Sequence, residues 1–179
     1  EALPASWLPF PVTPLLSTPD PVLEKDIVTL RFISKAEAYS LLNIFREKYG
    51  KWISLKPDIT TEELLNEYRT ESSLLLDVCC LVALRSSRNQ ALKRKITQIL
   101  INRISNSLAK EILNNPSTDL KYISTLTLLS FYGYSLSQPA NFNIDPWFYS
   151  GLALKHFIIS INYNPSFIND TVSFFYYAD

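Results

Sequence analysis

The chain has 179 residues, 47% of them apolar and 13% aromatic, which excludes a mainly disordered polypeptide and allows a real core. Seventeen basic side chains balance seventeen acidic ones, so no global field is directed at nucleic acid or an acidic partner. No apolar run approaches a membrane span and no signal peptide is visible, so no membrane contact is expected.

Residues 1–26 are the most irregular stretch. Pro4, Pro9, Pro11, Pro14, Pro19 and Pro21 block helix and central strand alike. Trp7, Leu8, Phe10, Leu15 and Leu16 are too apolar for a plain linker. The sequence therefore predicts a Pro-rich extended arm lying on a helical body made by residues 27–179. The chain opens at Glu1 and reads as a piece of a longer protein.

The body begins with a capping box at Ser34 and Glu37, where hydroxyl and carboxylate each satisfy a free backbone N–H. Ala38, Leu41, Leu42, Phe45 and Tyr49 then mark one helical face, and Gly50 is predicted to stop the helix. Lys51 to Asp58 reads as a connector with Trp52, Ile53 and Leu55 packed. A second capping box, Thr60 and Glu63, opens a helix to about Arg69 with Leu64, Leu65 and Tyr68 inside. Ser72 caps a third helix to about Arg85, apolar nearly all round. A fourth, long and amphipathic, runs from about Asn89 to Leu113. Leu92, Ile96, Ile99, Leu100, Ile104, Leu108 and Ile112 form its apolar side, with Lys93, Arg94, Lys95, Arg103 and Lys110 on the rest.

Two further helices look like the centre of the molecule. The first, about Thr118 to Tyr134, is capped by Ser117 or Thr118. Leu120, Ile123, Leu126, Leu128, Leu129, Phe131 and Tyr132 give it a broad apolar surface. The second opens at Asp145-Pro146, a good cap followed by a proline that loses no hydrogen bond there. Trp147, Phe148, Gly151, Leu152, Leu154, Phe157, Ile158 and Ile161 follow at helical spacing. The tail, with Phe174 to Tyr177, reads as a short helix or a strand-like segment. The fold class is all-α, an irregular bundle of about six to seven helices.

Little in the sequence suggests an enzyme. No triad, paired carboxylate, Gly-rich loop or metal-ligand spacing is present, so neither catalysis nor a cofactor is expected from this stretch. Cys79 and Cys80 are adjacent in an apolar run and read as small core residues in a reducing compartment. Asp77, the one charge in its helix, is either on a solvated face, the preferred reading, or buried against an arginine such as Arg69 or Arg85. Arg85, Arg88, Lys93, Arg94 and Lys95 form a basic cluster, read as a solvated helix start rather than a phosphate patch. His156 reads as a partly exposed helical residue. Tyr132, Tyr134, Trp147, Phe148 and Tyr149 gather round one loop, mostly as core. The sharper reading is a small-molecule pocket at the loop Ser135 to Asp145, with Tyr132 and Trp147 as walls and His156 as a polar handle.

The order of these segments resembles the regulatory, or middle homology, domain of fungal binuclear zinc-cluster transcription factors. The resemblance rests on three stretches: SSLLLDVCCLVALR from Ser72, LAKEILNNPSTDLKYISTLTLLSFYGYS from Leu108, and DPWFYSGLALKHFI from Asp145. The helix around ISKAEAYSLLNIFREKYGKWI is similar to the one that precedes them, and the match covers about residues 33–162. The resemblance implies an effector-responsive regulatory domain that controls activation through a ligand- or partner-induced conformational change. It further implies a nuclear location, a small-molecule effector, coregulator contacts and a homodimeric full-length protein. Zinc and DNA binding would belong to a six-cysteine region that these residues do not contain. The alternative is a structural helical scaffold for dimerisation or coregulator binding that takes no ligand.

Overall fold

A computed structural model describes residues 25–113, 119–133 and 144–163. The described residues form an all-α bundle of six helices and one 3-10 turn, with no strand among them. In chain order these are α1 (Lys35–Tyr49), the 3-10 turn (Gly50–Ile53), α2 (Thr61–Glu71), α3 (Ser73–Ser86), α4 (Gln90–Leu113), α5 (Leu120–Gly133) and α6 (Pro146–Tyr163). The Pro-rich arm up to residue 24, the Ser117/Thr118 cap and the C-terminal tail lie outside the described residues.

Local chemistry sets the helix starts. Ser34 Oγ accepts from the Glu37 amide at 3.2 Å, while Glu37 Oε2 accepts from the Ser34 amide at 2.7 Å. Thr60 and Glu63 repeat this at α2, and Ser72 Oγ accepts from the Leu75 amide at α3. At α6, Asp145 Oδ1 accepts from the Trp147 amide at 2.9 Å. The stop of α1 differs from the expectation. Gly50 keeps a right-handed φ of −54° and the chain tightens into the 3-10 turn, closed by Ser54 with φ 48°. Space is tight at Gly50: a Cβ there would come within 3.2 Å of the Leu55 side chain, which would have to shift by a few tenths of an ångström.

The hub is α3, not the expected α5–α6 pair. It packs on α1, α2, α4 and α5, whereas α6 packs principally on α5. Leu75 to Leu84 are all buried, and with Phe45, Leu64, Leu100, Ile104 and Leu129 they form one continuous core. A helix surrounded on every side buries its polar residue as well. Asp77 is 0% exposed, so the solvated-face reading fails. Its partner is Arg103 of α4, neither of the arginines anticipated: Nε donates to Asp77 Oδ2 at 2.8 Å. Arg103 is itself buried, and its Nη2 donates to the Lys25 carbonyl at 2.8 Å. It therefore stands inside the buried arc of α4 that was expected to be purely apolar there.

Residues 25–33 form a single turn strapped to this core. Asp26 accepts from the amides of Val28 and Thr29 and from Arg69 Nε, and Ile27 and Ile33 are buried. Arg31 takes a left-handed φ of 59° at the end of the turn.

The last helix presents its side chains against expectation. Ala153, His156 and Ser160 are buried, with Tyr149 half-buried on the same stripe. Trp147, Leu154 and Ile158 are at least half exposed, in line with open Gly151, and Phe148 is exposed beside them. The two stripes share the same helical spacing but are offset by two residues, about 200° of rotation. Small and polar residues face α5, where Ser150 and Ser130 hydroxyls meet at 2.9 Å and the His156 ring meets Tyr122. At the top of the pair, a Cβ on Gly133 would fall 2.9 Å from the Ile144 backbone oxygen, so only glycine fits where the two helices meet.

Candidate functional site

The structure separates the three residues expected to share a pocket. Tyr132 is buried at the C-terminal end of α5. Trp147 is 76% exposed. His156 is 2% exposed, not partly exposed as its sequence setting suggested, and its ring meets Tyr122 edge-on at 5.2 Å. Tyr122 and Tyr132 are ten residues apart on α5, about 15 Å along the axis, so His156 and Tyr132 belong to different ends of the bundle. The loop on which the pocket was centred lies outside the described residues from 134 to 143.

Tyr132 instead lines a cavity of about 470 Å³ on the other side of α5. The cavity lies where α1, α3 and α5 end and α4 begins. Tyr49 comes from α1, Leu81, Leu84, Arg85 and Ser86 from α3, and Lys93 and Thr97 from α4. Leucine and tyrosine walls with a few polar groups are the usual make-up of a small-molecule site.

The polar groups are defined. Tyr49 and Ser86 hydroxyls are 2.7 Å apart and tie α1 to α3. The Arg85 guanidinium carbon lies over the Tyr132 ring at 4.9 Å from its centre, and its Nη1 donates to the Tyr132 carbonyl at 3.4 Å. Arg85 thus caps the end of α5 from α3. Burial raises the Tyr132 phenol while Arg85 pulls it the other way, so it stays neutral near pH 7. Among the described residues neither Arg85 nor Lys93 forms an ion pair. The basic cluster is therefore divided. Arg88, Arg94 and Lys95 are exposed as a solvated helix start would be, while Arg85 and Lys93 are half-buried along the cavity. Asn89 Oδ1 accepts from the Leu92 amide at 2.9 Å and caps the N-terminus that this cluster crowds.

A second, smaller cavity of about 250 Å³ opens at the opposite end of α3. Glu71, Glu111 and Asp119 line it with Tyr122, whose buried hydroxyl has no hydrogen-bond partner. Lys121 bridges Glu67 and Glu71 nearby. Among the described residues no cluster of three metal-ligating side chains occurs, and no helix is long and apolar enough to cross a membrane. Cys79 and Cys80 are fully buried, and burial pushes both thiols up, as core residues rather than nucleophiles.

Sequence reasoning named Tyr132 for a different site and gave no sign of this cavity. Its lining joins positions 49, 85, 93 and 132, and no local pattern connects them.

Residues 31–173 match the family model described as the middle domain of the transcriptional activator of proteases prtT. An uncharacterised transcriptional regulatory protein of Schizosaccharomyces pombe is 34% identical over 76% of this chain and 25% of its own length. Activators of proteases prtT from Penicillium rubens and Aspergillus clavatus are 24% and 25% identical, over 83% and 69% of this chain. Those alignments cover 22% and 19% of the relatives, so the chain spans a quarter or less of the curated proteins it matches. No solved structure matches.

Proposed function

This chain belongs to the prtT middle-domain family, a fungal transcription-factor middle domain, and from that premise we propose that it is an effector-responsive regulatory domain. The observation that carries the proposal is the cavity lined by Tyr132, Arg85 and Lys93. It is of effector size, and four helices meet around it. A ligand that binds better to one arrangement of those helices shifts the population towards it, and nothing more is needed for control. Arg85 is the natural transmitter. It caps the end of α5, and α6 is attached to the body principally through α5. A ligand that draws Arg85 away from the Tyr132 carbonyl changes how the α5–α6 pair is held.

In the longer protein this role is regulatory rather than catalytic, and it operates in the nucleus. Coregulators and a second copy would meet the domain, while DNA and zinc would be handled by a zinc-cluster region outside these residues. A thermal-shift screen of metabolites on the 179-residue chain tests the proposal. A ligand at ten times its dissociation constant adds about 1.4 kcal/mol, or a few degrees of melting temperature. The same compound should alter reporter expression by the longer protein. Failure of every compound in both assays overturns the proposal.

One observation favours the alternative, a scaffold that binds protein without a ligand. The outward face of α6 shows Phe148, Leu154 and Ile158 at half exposure or more. Under that reading, Leu154→Glu abolishes self-association or coregulator capture in the longer protein while every ligand remains without effect.

A further inference from the structure

The cavity at the meeting of α3, α4 and α5 has an unusual charge balance. Arg85 and Lys93 lie half-buried on it with no carboxylate in ion-pair range among the described residues. Its titratable lining consists of those two cations and the phenols of Tyr49 and Tyr132. The ordinary reading is that the cations answer the helix termini. Three C-terminal ends gather here, each equivalent to roughly half a negative charge, and α4 contributes roughly half a positive charge from its N-terminus. Two full cations exceed that demand by about one positive charge. The Arg85 guanidinium carbon lies over the Tyr132 ring at 4.9 Å, and of its five N–H donors one makes a long bond of 3.4 Å to the Tyr132 carbonyl. Ser86 and Thr97 add hydroxyls, and Leu81 and Leu84 add an apolar wall.

We infer that this cavity binds a small molecule carrying one carboxylate or phosphate group on an apolar or aromatic body, with Arg85 and Lys93 holding the oxyanion. The oxyanion supplies the missing negative charge through charge-assisted hydrogen bonds, which arginine makes in paired fashion. The body packs on the leucine and tyrosine walls. This inference rests on the effector-responsive reading above and adds the chemical class.

The test uses the 179-residue chain with four probes of one body: benzoate, phenyl phosphate, benzyl alcohol and benzylamine. Binding is followed by calorimetry and thermal shift. Benzoate or phenyl phosphate should bind, the neutral and cationic probes should not, and comparison of the two anions distinguishes a carboxylate from a phosphate site. Arg85→Gln and Lys93→Gln should each weaken anion binding at least about tenfold, as expected for loss of a charged hydrogen bond. Among the described residues the Lys93 side chain makes no hydrogen bond or ion pair, so a retained melt in Lys93→Gln keeps the test valid if Arg85→Gln unfolds. Unchanged anion affinity in Lys93→Gln overturns the assignment. Preference for the alcohol or amine overturns the charge class and leaves effector sensing standing. If a wider metabolite library of every charge also fails to bind, effector sensing falls with it.

Discussion

Two arginines in this bundle make opposite use of the same group. Arg103 is enclosed between α3 and α4, with Asp77 and the Lys25 carbonyl, each at 2.8 Å, among its partners. Arg85, two turns along α3 from Asp77, lies over a tyrosine ring beside a cavity and has no carboxylate to pair with among the described residues. A charge that is buried must be compensated by the fold itself, so its removal damages the fold. A charge held at a cavity wall can remain uncompensated because water reaches it, and it is then free to answer a ligand. Compensation, more than burial alone, separates the structural cation from the functional one.

The sharpest way to break this comparison is Arg103→Leu. It leaves Asp77 in the core without a counter-charge and should cost about 3–5 kcal/mol in a urea melt. The double variant with Asp77→Leu should recover most of that loss, since the apolar pair needs no compensation. Near wild-type stability in the single variant would show that water or another donor reaches Asp77.

An effect of comparable size, spread over about three pH units, is expected from pH. Burial pushes the Asp77 carboxyl up to about 7 against the opposing pull of Arg103, and its Oδ1 has no hydrogen-bond partner. Its unfolded value is near 3.8, so between those two values the folded chain holds more protons than the unfolded one. The contribution of Asp77 is thus fully present below about pH 4 and is lost as pH rises through 7, at no more than about 1.4 kcal/mol per unit. His156 acts in the other direction. Burial, helped by Lys155, lowers it, so its contribution is present above its ordinary value and fades as pH falls. Subtracting the pH–stability curve of Asp77→Asn from that of the wild type isolates the first slope. A flat difference between pH 4 and 7 refutes it.

Arg85→Gln should matter less to the fold than either. It removes a half-exposed cation–π contact and one long hydrogen bond, worth about 1 kcal/mol or less together, and its main effect should be on ligand response. If instead it destabilises as much as Arg103→Leu, the distinction between the two arginines collapses. At the far end of the scale stands the exposed pair Lys35–Glu62, 3.3 Å apart with both side chains more than half exposed. Glu62→Gln should change the urea midpoint by an amount near the limit of detection, since such pairs contribute little in water.

Much of the helical plan was legible in the residues. Ser34–Glu37, Thr60–Glu63, Ser72 and Asp145-Pro146 mark helix starts through bonds to amides two or three residues away, and each start was found within a residue or so. Asp77 shows where such reading stops. An acid in a helix apolar on every side is buried because its neighbours are, but its partner lies 26 residues on in α4. Arg103 carried a usable signal, since it falls three residues after Leu100 within the apolar arc. His156 carried one as well, at the spacing of Ala153 and Ser160.

By itself, then, the sequence determined the all-α class, the order of the helices and most of their boundaries, because caps and apolar periodicity act over four residues or fewer. The tertiary structure alone decided that α3 rather than α5–α6 is the hub, that α6 turns its small and polar stripe inward, and that Tyr132 shares a cavity with Arg85 and Lys93. Helical spacing is the same for both stripes of α6. What chose between them was the surface that α5 offers, where Ser130 meets Ser150 and Tyr122 meets the His156 ring.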